Sequence, residues 1–146
     1  MGTRDCDRYI VLKITRATIH ANEKEYLMKT IGNIIWFAFG GFVMAVGWFL
    51  AGLLSCITII GIPAGIQAFK FAKLALWPFG KEISYGGGGG SLLLNIIWLV
   101  LGGLFLTVAH ALLGIIYCVT IIGIPFGKQY FKLAKLALMP FGAKII

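Results

Sequence analysis

The chain has 146 residues, is 60% hydrophobic, and has a mean hydropathy of +0.94. That is one domain's length, yet more apolar surface than a soluble domain of this size can hide, because small domains leave much of their surface wet. The formal charge of +8 does not indicate nucleic acid. The basic residues flank hydrophobic stretches with no aromatic-lined polar surface around them, a pattern suited to anionic lipid headgroups.

Residues 1–27 differ from the rest. They mix charges of both signs and lack the continuous apolar stretch of a signal peptide. They read as a weak amphipathic segment or a disordered tail, outside the repeated part of the chain. Met28-Lys29-Thr30 is the expected functional start, because the hydrophobic part begins immediately after it. His20 lies in this extension and carries no functional signal.

From Ile31 to Phe69, and again from Ser91 to Gly127, there is no charged residue. Each run exceeds the roughly 20 helical residues that cross a bilayer core. The two runs belong to a tandem repeat with an offset of 62 positions. Asn33-Ile34-Ile35-Trp36 falls on Asn95-Ile96-Ile97-Trp98, and Gly40-Gly41 on Gly102-Gly103. Cys56 falls on Cys118, Thr58 to Pro63 on Thr120 to Pro125, Phe69-Lys70 on Phe131-Lys132, and Pro78-Phe79-Gly80 on Pro140-Phe141-Gly142. Internal repetition of this kind defines the architecture before any finer reading. It divides the chain into unit one (28–83), a glycine-rich joint (84–91) and unit two (92–146).

Within unit one the pattern predicts helices from about Ile31 to Val46, Phe49 to Ile62 and Ala64 to Trp77. Trp36, Trp48, Trp98 and His110 are expected at membrane–water boundaries, with an outer turn near positions 47–52. Gly61-Ile62-Pro63 and Gly123-Ile124-Pro125 mark helix breaks, the prolines suiting a first helical turn. The third segment carries Gln67, Lys70 and Lys73 on one face, and unit two repeats this with Lys128, Lys132 and Lys135. Such a helix suits the interface plane. The expected fold is therefore all-α and integral to the membrane. It has two tandem parallel repeats, each a short transmembrane hairpin followed by a cytoplasmic interfacial helix. A long crossing to the Ile-Pro break, with the lysine helix returning through the membrane, is the alternative.

Gly40, Gly41, Gly102 and Gly103 are expected to allow close helix packing. Asn33 and Asn95 are expected to cap a helix or to bond across a helix pair. Cys6, Cys56 and Cys118 form no CxxC or Cys/His set, so neither metal nor disulfide chemistry is expected. The eight lysines from Lys29 to Lys144, against Glu82 alone, leave +7 from Met28 onward. This places both unit ends in the cytoplasm by the positive-inside rule.

The motifs Ile-Ile-Gly-Ile-Pro, Phe-Lys, Ala-Lys-Leu-Ala-Leu and Pro-Phe-Gly resemble the YccF family of bacterial inner membrane proteins. Those proteins also carry two such units. The resemblance extends from about Met28 to Lys144 and implies a multi-pass inner-membrane location; it supplies no catalytic or ligand residues. The N-terminal extension and the simple glycine joint depart from the family's pattern.

Two functions fit these features. One is an oligomeric pore or small-anion conduit, in which Lys70, Lys73, Lys128, Lys132 and Lys135 supply a positive field. The other is a non-transporting structural or accessory protein that binds anionic lipid or a partner membrane protein. No cofactor is expected, and no nucleophile–base pair or paired carboxylates are present for enzymatic chemistry.

Overall fold

The computed structural model describes residues 3–146, with side chains described from Arg8 onward; Cys6 lies outside those side chains. Helix α1 (Thr3–Trp36) leads through a bend at Phe37–Gly41 into α2 (Phe42–Cys56). A tight turn ending in a 3-10 turn at Ile59–Gly61 reverses the chain into α3 (Ile62–Leu76), which is followed by strand β1 (Ile83–Tyr85). Unit two repeats the order as α4 (Gly89–Trp98), a bend at Leu99–Gly103, α5 (Leu104–Cys118), α6 (Ile124–Leu138) and β2 (Ala143–Ile145).

Each bend has one cause. Gly40 has φ +125° and Gly102 φ +152°, values that residues with a Cβ rarely adopt. Both glycines face open space, so their role is the bend and not the close packing expected for them. The neighbouring Gly41 and Gly103 are buried, pressed against the indoles of Trp36 and Trp98.

The expected turn near positions 47–52 does not exist. Phe42–Cys56 is continuous helix, with no proline to break it. Trp48 is held inside by stacking on Phe71, ring centroids 4.4 Å apart. The reversal comes later, at Thr58–Gly61. The segment expected to lie as a separate interfacial helix is therefore the returning arm of the hairpin, packed along α2. Its inward face is Gly65, Gln67, Ala68, Phe71, Ala72, Leu74 and Ala75. These small and apolar residues let the two backbones approach closely, which drives helix pairing where hydrocarbon removes any hydrophobic incentive.

The two units are related by an approximate twofold. Trp48 meets its own counterpart His110 at 6.2 Å, and Ile83 pairs with its counterpart Ile145 in a short antiparallel ribbon. Between those points lie Phe71, Leu74, Leu133 and Leu136, all fully buried. Phe126, at the start of α6, packs on Phe79 beyond the end of α3, at 5.8 Å, and on Trp36 at 6.2 Å. Helices α3 and α6 thus run in opposite senses. The ribbon qualifies the all-α expectation; strands of three residues leave no periodic signal to read.

Candidate functional site

The lysines converge where the twofold crosses the chain. Lys70 donates from Nζ to the Pro140 carbonyl at 3.0 Å. Its counterpart Lys132 donates to the Pro78 carbonyl at 3.2 Å and to the Lys81 carbonyl at 2.8 Å. Each lysine thus reaches the carbonyl just beyond the other unit's helix, where free carbonyls and the helix dipole favour a cation. Lys81 in turn donates to the Lys73 carbonyl at 3.2 Å. Burial, with Lys73 nearby, holds the Lys81 ammonium below the usual lysine range.

Two of the five lysines expected to form an anion site are therefore internal clasps. Lys73, Lys128 and Lys135 remain exposed, with Lys144 beside them on the ribbon. A recess of about 290 Å³ on this face is lined by Glu82, Ile83, Tyr85, Lys132 and Lys135. Replacing both Lys70 and Lys132 with methionine should lower stability by about 1–3 kcal/mol per site, the scale of a hydrogen bond to a charged group. The same change at Lys73 and Lys135 should stay within about 0.5 kcal/mol, as for surface sites without partners. Thermal unfolding in detergent would compare the two pairs, and equal losses would remove the clasp from the account.

Of the expected interface anchors Trp36 and His110 are buried, and Trp48 and Trp98 are half-buried. Trp36 is 4% exposed and donates from Nε1 to the Ala75 carbonyl at 2.6 Å. Trp98 makes the equivalent bond to Ala137 at 2.9 Å. His110, 7% exposed, bonds through Nδ1 to the Leu106 carbonyl at 2.7 Å and stacks on Phe71. These polar tips find partners in the protein, so they do not need the headgroup region. Asn33 neither caps a helix nor bridges two. Its amide donates to the Phe79 carbonyl at 3.0 Å and accepts from the Phe79 N–H at 2.9 Å. Asn95 holds Phe141 in the same way.

The helix-break residues form the hairpin tips. Thr58 Oγ1 accepts from the Gly61 N–H at 3.1 Å and donates to the Ser55 carbonyl at 3.3 Å. Thr120 does the same with Gly123 and Tyr117. Pro63 and Pro125 open α3 and α6, and their carbonyls accept from Gln67 and Gln129 at 3.1 Å. The amide oxygens of both buried glutamines find no partner among the described residues. Sequence reasoning had placed Gln67 on the lysine face. The sign it overlooked is that position 129 repeats the same residue. Cys56 and Cys118 are free and half-buried. Among the described residues no three His, Cys, Asp or Glu side chains converge to hold a metal.

Among the described residues three helices are long and apolar enough to cross a membrane: Arg8–Cys56, Ile59–Leu76 and Gly89–Cys118. With two copies of one bent hairpin, they define a helical membrane protein of tandem repeats. The YccF inner membrane component domain matches twice, over residues 31–81 and 93–143, and the chain belongs to that family. It is 37% identical over 130 residues to the inner membrane protein YccF of Escherichia coli (strain K12), covering 82% of this chain and 88% of that protein. The inner membrane protein YccF of Shigella flexneri matches with the same identity and coverage. No solved structure matches the chain.

Proposed function

We propose that the protein is a non-enzymatic structural or accessory component of the bacterial inner membrane, and that its lysine face holds anionic lipid headgroups on the cytoplasmic side. The observation that carries this reading is the segregation of charge. Lys73, Lys128, Lys135 and Lys144 are exposed, Lys135 beside the ribbon and Lys144 within it, and from Met28 onward Glu82 is the one acid. Helices α2 and α5 carry no charged residue at all. The C-terminus lies in the ribbon, and Lys29 of α1 packs beside Gly80 close to it. That supports both ends on the cytoplasmic side by the positive-inside rule. A conduit gains less from this fold, because Lys70 and Lys132 already donate to backbone carbonyls and are not free to bind an anion directly.

Each exposed lysine near an anionic surface contributes about 1 kcal/mol. The protein reconstituted in nanodiscs should therefore unfold at a higher temperature with phosphatidylglycerol than with phosphatidylcholine alone. Changing Lys73, Lys128 and Lys135 to glutamine should erase that difference. Equal unfolding temperatures for the unaltered protein in both lipids would refute the proposal. Ion flux through the purified protein in liposomes would favour the conduit instead.

A further inference from the structure

We propose that the protein inserts into the membrane from one side only, with both hairpin tips ending inside the hydrocarbon and no segment emerging on the far face. This deepens the headgroup reading of the lysine face and rests on it. Length and composition alone would allow a crossing; the placement of charge along the helices opposes it.

The tips are the least polar part of the molecule and the most exposed. Ile60 is 93% exposed and Ile122 85%, with Ile57, Ile59, Val119 and Ile121 similarly bare. Neither tip contains a charge, and the hydroxyls of Thr58 and Thr120 are both turned back onto their own turns. A turn delivered into water normally presents polar groups to it. These turns hold their hydroxyls and the Gly61 and Gly123 N–H groups internally, as polar groups surrounded by hydrocarbon do.

The charges stand elsewhere along the same helices. Gly52 lies against Phe69, and Gly65 against Cys56, so Trp48 stands level with Lys73, near the middle of the hairpin's first arm. If α2 crossed the bilayer from face to face, Lys70 and Lys73 would lie deep within it, and so would Lys132 and Lys135. The ribbon with Lys81, Glu82 and Lys144 would lie there too. At the same time four isoleucines would stand in water. Laying the approximate twofold along the membrane normal removes both faults. The ribbon and the lysines other than Lys128 then lie toward the headgroups, and α2 and α5 toward the hydrocarbon; Lys128, about 9 Å from Ile122 along the chain, reaches the headgroups along its four-carbon stem. Because α3 and α6 run in opposite senses, the hairpins splay apart from the centre. At about 1.5 Å per residue, Ile60 is about 20 Å from Lys73 along the chain even with the helix upright. The hydrocarbon is about 30 Å thick, so a splayed tip stops well short of the far side.

The test uses the full chain in its native membrane, with Cys6, Cys56 and Cys118 changed to alanine and single cysteines introduced as Ile60→Cys, Ile122→Cys, Lys73→Cys and Lys135→Cys. A membrane-impermeant maleimide is applied to intact spheroplasts and to inverted vesicles. The Lys73→Cys and Lys135→Cys proteins should label from one side only. The tip variants should resist this reagent from both sides and react in full once the protein is unfolded in detergent, because the thiolate that attacks maleimide does not form in hydrocarbon. Labelling of either tip from the side opposite position 73 overturns one-sided insertion while leaving the headgroup reading intact. Labelling of a tip from the same side overturns it as well, because the tip is then in water. Should a tip variant fail to accumulate, the neighbours Ile59→Cys and Ile121→Cys carry the same readout. A fluorophore attached there should be quenched by lipids brominated deep in the acyl chain, and an absence of quenching overturns the proposal.

Discussion

Alanine at Gly65 and Gly127 is expected to loosen both hairpins and lower stability by about 1–3 kcal/mol per site, the range for overfilling a packed contact. A Cβ on Gly65 would meet Cys56 Sγ and lie 2.8 Å from the carbonyl oxygen of Gly52; on Gly127 it would meet Cys118 Sγ and lie 2.7 Å from the Gly114 carbonyl oxygen. The thiol can rotate away, but the facing backbone cannot move without separating α2 from α3. Gly47→Ala is the control. Nothing lies within 4 Å of its Cβ position, and alanine in an exposed helical position is favoured by up to about 1 kcal/mol. Thermal melts of helical circular dichroism in detergent should show a loss at 65 and 127 and none at 47. Unchanged melts at all three sites would mean that the arms are not in contact through these glycines.

Asn33→Ala and Asn95→Ala should each cost about 1–3 kcal/mol, because each leaves a backbone N–H and a carbonyl without its partner in a part-buried site. The asparagine amide matches the Phe79 peptide group on both edges, at 2.9 and 3.0 Å. Aspartate at position 33 would keep the acceptor and lose the donor, and should fall between asparagine and alanine. The two sites share no partner, so the double variant should show nearly the sum of the single losses. Unfolding midpoints in detergent measure this. A tolerant Asn33→Ala protein would show that the end of α3 is tied to α1 by Trp36 alone.

Much of this protein was readable before its fold was known. The repeat assigned the functional candidates to pairs, except Lys128, which falls on Ile66. It also identified the breaks at Gly61-Ile62-Pro63 and Gly123-Ile124-Pro125, where the chain does reverse. Asn33, Trp36 and Lys70 were each singled out, but with the wrong surroundings. Trp and His suit a membrane boundary on average, and only the path of α3 shows that Ala75 supplies a carbonyl for Trp36 and that Phe71 stacks on His110. The lysine helix looked interfacial because its sequence shows one basic face. The small residues opposite, Gly65, Ala68, Ala72 and Ala75, carry little hydropathy, so their role in contacting α2 was hard to see.

The amino-acid sequence by itself determined that this is a helical membrane protein of two equivalent units whose longest apolar runs carry no charge. Those properties follow from local composition and from an offset that holds without gaps. Only the tertiary structure decided where each hairpin turns, that its second arm lies at the centre, and that the units meet head to tail with their lysines exchanged. These depend on contacts between residues far apart in the chain, such as Lys70 with Pro140 and Asn33 with Phe79, and no periodicity within a segment records which distant carbonyl a side chain will find.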